Sequence, residues 1–70
     1  MDFTVVVRGY DRREVDAVVS RVDAAQASSD PALRASVRAE LSRVNVPIRL
    51  RGYDRMQVDD YVERSSVGLR

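Results

Sequence analysis

The chain repeats itself. Arg8-Gly9-Tyr10-Asp11-Arg12 returns as Arg51-Gly52-Tyr53-Asp54-Arg55, an offset of 43 residues, and in the same register Val15 meets Val58, Asp16 meets Asp59, Val19 meets Val62 and Arg21 meets Arg64. Nine of the fourteen positions from Arg8 to Arg21 are identical across the two copies, so an internal repeat, about residues 3–24 and 46–67, constrains the fold more than any other feature. Two equal pieces in so short a chain predict an internal pseudo-twofold.

Each copy reads as strand, turn, helix. Gly9 and Gly52 are expected to supply the positive φ of a sharp turn. Asp11 and Asp54 follow as helix N-caps. Glu14 and Gln57, three places on, would close capping boxes, and Tyr10 with Val15, like Tyr53 with Val58, is spaced for a hydrophobic staple. Arg8 and Asp16 recur together as Arg51 and Asp59. Ion pairs tying each turn to its helix are the expectation, and an exposed pair of that kind contributes about 0–1 kcal/mol. The other reading of these charges is a patch recognised by a partner.

Phe3–Val7 and Val46–Leu50 carry the β-branched and aromatic residues of strands. Alternation puts Phe3, Val5 and Val7 on one face with Val46, Ile48 and Leu50, and this apolar face is the expected core face. Thr4, Val6, Arg8, Pro47, Arg49 and Arg51 fall on the other. A first helix over about 12–27 has its stripe at Val15, Val18, Val19 and Val22. Asp30 and Pro31 start a second, a connector over about 31–44, with Leu33, Val37, Leu41 and Val44 on one face and Asn45 as a left-handed stop. A third, over about 55–65, presents Val58, Tyr61 and Val62, and residues 66–70 are expected to fray. The fold class is α+β: one domain over 1–70 of order βααβα, its two-stranded antiparallel ribbon packed on three helices.

Composition narrows what such a domain can do. At 70 residues it stands near the lower limit for a core without staples, and it has neither cysteine nor histidine. Nucleophilic catalysis needs an activated Ser, Cys, Thr or Lys beside a base. Without His, Cys or Lys, no catalytic residue is expected. No cofactor-binding residue, metal ligand or cofactor is expected either, since no phosphate-cradling glycine loop and no calcium-loop spacing occurs. The net charge of +1 argues against nucleic acid as a partner. No apolar run approaches the roughly 20 residues of a membrane span, and the N-terminus lacks the layout of a secretory signal. A cytoplasmic location is the expectation.

An apolar residue, then Arg-Gly-Tyr-Asp, two variable positions, Glu or Gln, and Val-Asp resembles the signature of the DivIVA domain. It stands here as Val7-Arg8-Gly9-Tyr10-Asp11 with Glu14-Val15-Asp16, and as Leu50-Arg51-Gly52-Tyr53-Asp54 with Gln57-Val58-Asp59. The resemblance covers about 3–24 and 46–67 and leaves the connector helix outside. It implies a bacterial scaffold of cell division and polar envelope growth, placed at septum or pole. Membrane-binding members carry an exposed Phe before the Arg; Val7 and Leu50 hold that place here, on the expected core face. No heptads follow for a long coiled coil.

The reading is a non-enzymatic protein-interaction module, an adaptor whose partner belongs to division or cell-wall machinery. Its partner-binding residues would be Val6, Arg8, Tyr10, Arg49, Arg51 and Tyr53, held by the structural set Gly9, Asp11, Asp16, Gly52, Asp54 and Asp59. A peripheral membrane-surface, curvature-sensing module is the alternative, and a nucleic-acid binder a more distant third. Internal symmetry predicts a monomer with a pseudo-twofold, or a small homo-oligomer.

Overall fold

The computed structural model describes residues 3–69. The order is β1 (Val5–Tyr10), α1 (Arg12–Ala27), α2 (Pro31–Arg43), β2 (Ile48–Tyr53) and α3 (Arg55–Gly68), a small α+β domain. Asp11, Asp30 and Asp54 cap the three helices as their positions demand. Asp11 Oδ1 accepts from the Arg13 and Glu14 N–H groups at 2.9 and 3.2 Å, and Asp54 Oδ1 from those of Met56 and Gln57 at 2.9 and 3.3 Å. Asp30 Oδ1 accepts from Ala32, with Pro31 in the first turn.

Along the ribbon the partners run in opposite directions, from Val5 opposite Tyr53 through Val7 opposite Arg51 to Tyr10 opposite Ile48. The ribbon is therefore antiparallel. Bonds from Asp54 N–H to Thr4 O (2.8 Å) and from Asp11 N–H to Pro47 O (2.9 Å) extend it at both ends. A shift of 43 residues exchanges Val5–Tyr53 with Tyr10–Ile48, Val6–Gly52 with Gly9–Arg49 and one end bond with the other, which is the expected pseudo-twofold; the image of Val7–Arg51, at Leu50 and Arg8, is not paired. One further pairing, Tyr10 with Tyr53, has the parallel sense. It arises because the strands bend until Gly9 and Gly52, related by the twofold, touch backbone to backbone: a Cβ on either would fall inside the peptide groups of the other.

That contact corrects the expected role of the glycines. Neither has positive φ; the left-handed residue is Arg8, at φ 62°, whereas Arg51 stays at negative φ. The strands also begin later than expected and run through the Arg-Gly-Tyr segments, so these are bent strand rather than turn. Nor do the capping boxes close, because the Asp11 and Asp54 N–H groups are taken by the ribbon carbonyls. Gln57 instead ties down the other half, accepting from Thr4 N–H at 2.8 Å and donating to Thr4 Oγ1 at 3.2 Å. Pro47, the counterpart of Thr4, has no N–H to give Glu14, so the tie occurs once.

The core lies among the helices. Val18, Val22 and Ala25 of α1 meet Val37 and Leu41 of α2 and Leu69 beyond α3, with Val44, Tyr61 and Val62 packed against them. The ribbon meets α1 chiefly through β2 and α3 chiefly through β1, so each strand sits mainly on the other repeat's helix. Because three apolar stripes already close on one another, the ribbon face expected to be buried is left outside. Val5 and Ile48 are about half exposed, and Val7 and Leu50 are 71% and 75% exposed. Val46 and Phe3 of that face are half-buried, the Phe3 ring standing 5.3 Å from Tyr53 and 5.6 Å from Tyr61.

Three details of the helices depart from expectation. Leu33 is exposed on α2. The chain leaves α2 through Val44 in an extended conformation, with no left-handed Asn45. The segment expected to fray continues α3 to Gly68; Leu69 is 3% exposed, and Arg34 Nη2 donates to Gly68 O at 3.0 Å.

Candidate interaction surface

The six residues expected to meet a partner fall into two groups. Tyr10 and Tyr53 point inward across the repeat: the Tyr10 hydroxyl donates to Asp59 at 2.7 Å and the Tyr53 hydroxyl to Asp16 at 2.9 Å. Arg49 Nε donates to Asp11 Oδ2 at 3.0 Å, and Val6 is half-buried. These side chains hold the two halves together. Arg8 and Arg51 remain exposed, and among the described residues no ion pair joins either to an acid. The expected Arg8–Asp16 and Arg51–Asp59 pairs are thus replaced by tyrosine bonds. A phenol donating to a carboxylate satisfies that charge without desolvating a second ion.

The twofold axis passes between the Val7–Arg51 and Arg8–Leu50 positions, so two exposed aliphatic side chains and two arginines surround it. Val7 also lines a shallow recess of about 220 Å³ with Val6, Arg8, Asp54, Arg55 and Met56. Met56 is 83% exposed. Sequence reasoning missed Val7, Leu50 and Met56 as surface residues. Period-two alternation marks an apolar face but does not say what covers it. Met56 had a visible signal, an apolar residue at the place Arg13 holds in the other copy.

The electrostatics are local. The Glu14 backbone N–H, assisted by Arg49 and the Arg13 N–H, holds the Asp11 carboxyl below its ordinary value. The stabilisation from Asp11 is therefore present above about pH 3.9, the unfolded value, and is lost as pH falls through the lowered folded value. Donation to Asp59, then partial burial, raises the Tyr10 phenol above 10. Its contribution is complete below the unfolded value and disappears as pH rises through the raised one.

Replacing Tyr10 and Tyr53 by Phe is expected to cost about 1 kcal/mol each, and Asp16→Ala with Asp59→Ala about the same together as the double Phe variant. Arg8→Ala with Arg51→Ala is expected to change stability by less than about 0.5 kcal/mol. Urea midpoints at pH 7 separate the two patterns, and a midpoint series above pH 10 should fall less steeply for Tyr10→Phe than for the parent.

Among the described residues no group of His, Cys, Asp or Glu is assembled to hold a metal ion, and no helix is long and apolar enough to cross a membrane. Compared with protein-family models, with curated proteins and with solved structures, the chain matches none. Its function is accordingly argued from its own residues.

Proposed function

We propose that the chain is a non-catalytic interaction module of DivIVA-like type, an adaptor in bacterial cell division or polar envelope growth that docks a protein partner at septum or pole. One observation carries the reading: a ribbon stapled by two tyrosine–aspartate bonds displays Val7 and Leu50, each more than two-thirds exposed, beside Arg8 and Arg51. Exposed aliphatic groups cost solubility, and a surface that keeps them at its symmetry axis is built for contact. Arginine beside them adds charge and planar hydrogen bonding to a partner's carboxylates.

A second reading is favoured by the same exposure. Two aliphatic side chains flanked by arginines also match the chemistry of an anionic lipid surface. The overturned expectation that Val7 and Leu50 are buried had been the argument against it. The double variant Val7→Asp with Leu50→Asp tests both, since exposed positions leave the fold intact. For the adaptor reading, the tagged parent retains a specific protein that the variant loses, and neither sediments with anionic vesicles at low salt. Sedimentation of the parent, abolished in the variant and by high salt, would replace the adaptor by the membrane reading. If the variant keeps every partner of the parent, the surface is not the site.

A further inference from the structure

Helix α2 has no counterpart in the repeat, and it seats on one flank of the α1–α3 pair. The seat consists of Val18 and Val22 of α1 and Leu69 beyond α3, closed over by Val37 and Leu41, with Arg21 paired to Glu40 at its rim. The 43-residue shift that relates the repeats turns Val18 into Tyr61, Arg21 into Arg64, Val22 into Ser65 and Leu69 into Gln26, and Val46 into Phe3. Those five residues, with Gln57 and Asp60, line an open groove of about 400 Å³ on the other flank. The groove is the twofold image of the α2 seat, with nothing in it.

We propose that this groove docks an amphipathic helix of a partner protein, one that presents an aliphatic residue next to a carboxylate as α2 presents Leu41 next to Glu40. Symmetry supplies the shape, because the same backbone frame already holds a helix on the opposite flank. Charge supplies the second argument. Arg64 occupies the place of Arg21 and is held meanwhile by Asp60, one turn away at 3.1 Å. That pair is largely exposed and so contributes little. On the α2 side the image of Asp60 is Ala17, which leaves Arg21 to Glu40. Asp60 is thus a placeholder that an incoming carboxylate displaces. The third observation is the Tyr61 hydroxyl, a buried oxygen whose one polar neighbour, Ser65, does not reach it in good hydrogen-bond geometry. Buried polar atoms are rarely left so, and a side-chain acceptor on the docked helix would satisfy it. Ser65 and Gln26 stand where the α2 seat has Val22 and Leu69, so the preferred helix is more polar than α2.

This deepens the interaction reading by naming a second partner surface, which shares no residue with the ribbon tip. The probe is a synthetic peptide of residues 30–45, the α2 segment with its cap, titrated into the isotopically labelled full chain. Saturable amide shifts are expected at Gln26, Tyr61, Arg64 and Ser65. Arg64→Glu should weaken binding about threefold to fivefold, the scale of one exposed ion pair, and a peptide carrying Glu40→Arg should restore it on that variant. Val7→Asp with Leu50→Asp should leave peptide affinity unchanged, so failure of the ribbon tip and failure of the groove are distinguishable. Absence of shifts at about 1 mM peptide, the weakest binding worth the name, would overturn the proposal. So would shifts centred on Val18, Val22 and Leu69, which mean that the peptide displaces α2. The same Tyr61 and Arg64 shifts on concentrating the protein without peptide would assign the groove to a second copy instead.

Discussion

Gly9→Ala is expected to destabilise the domain severely, to the point of unfolding it or lowering its melting temperature steeply, and Gly52→Ala to do the same. The two glycines meet at the twofold axis with their peptide groups in contact, and a methyl group on either would overlap backbone of the other. Overpacking against a side chain is relieved by rotamer changes at about 1–3 kcal/mol. Backbone held in a ladder has no such relief, so about 4 kcal/mol or more is expected, in the range reserved for the severest substitutions. A 70-residue domain has about 3–10 kcal/mol in total. Circular dichroism should show lost cooperativity, or a melting temperature lower by about 15 °C or more. Because both substitutions break one contact, the double variant should cost little beyond either single one. Gly68→Ala is the control: its nearest neighbour would be Gln26 Nε2 at 3.7 Å, and in a helix the change should stabilise by about 0.5–1 kcal/mol. Equal tolerance at all three glycines would refute the backbone contact between Gly9 and Gly52.

Leu69→Ala is expected to cost about 2–4 kcal/mol. Leu69 is 3% exposed and belongs to the cluster of Val18, Val22, Ala25, Val37 and Leu41. Its backbone N–H donates to Ser65 O at 3.0 Å, and the Arg34 bond to Gly68 O fixes the turn before it. Val67→Ala, at a position 58% exposed, should change stability by less than about 0.5 kcal/mol. Urea midpoints of the two variants compare these directly. Equal, small effects would mean that the last turn contributes nothing to the core.

How much of this was legible beforehand depends on the range of the interaction. Helices α1 and α2 begin where their caps place them, because Asp11, Asp30 and Pro31 act on groups two or three residues away. The symmetry of the halves was legible from identity alone. The tail was misjudged because Ser66, Val67 and Gly68 look weak locally, and only the packing of Leu69 against α2 rewards their order. For Tyr10 and Tyr53 the sequence offers a staple to Val15 and Val58 or a partner contact, since nothing near them in the chain reveals an acceptor 37 or 49 residues away.

By itself the sequence determined the elements, their order and the equivalence of the two Arg-Gly-Tyr-Asp segments, all consequences of short-range capping, periodicity and repetition. Tertiary structure decided which apolar surfaces are buried. Three helical stripes satisfy one another, Val7 and Leu50 of the ribbon are left in solvent around the twofold axis, and one flank is filled by α2 while its image stays open. Burial is a contest among all apolar surfaces for a limited interior. Its outcome depends on which elements meet, and no local pattern of residues contains that.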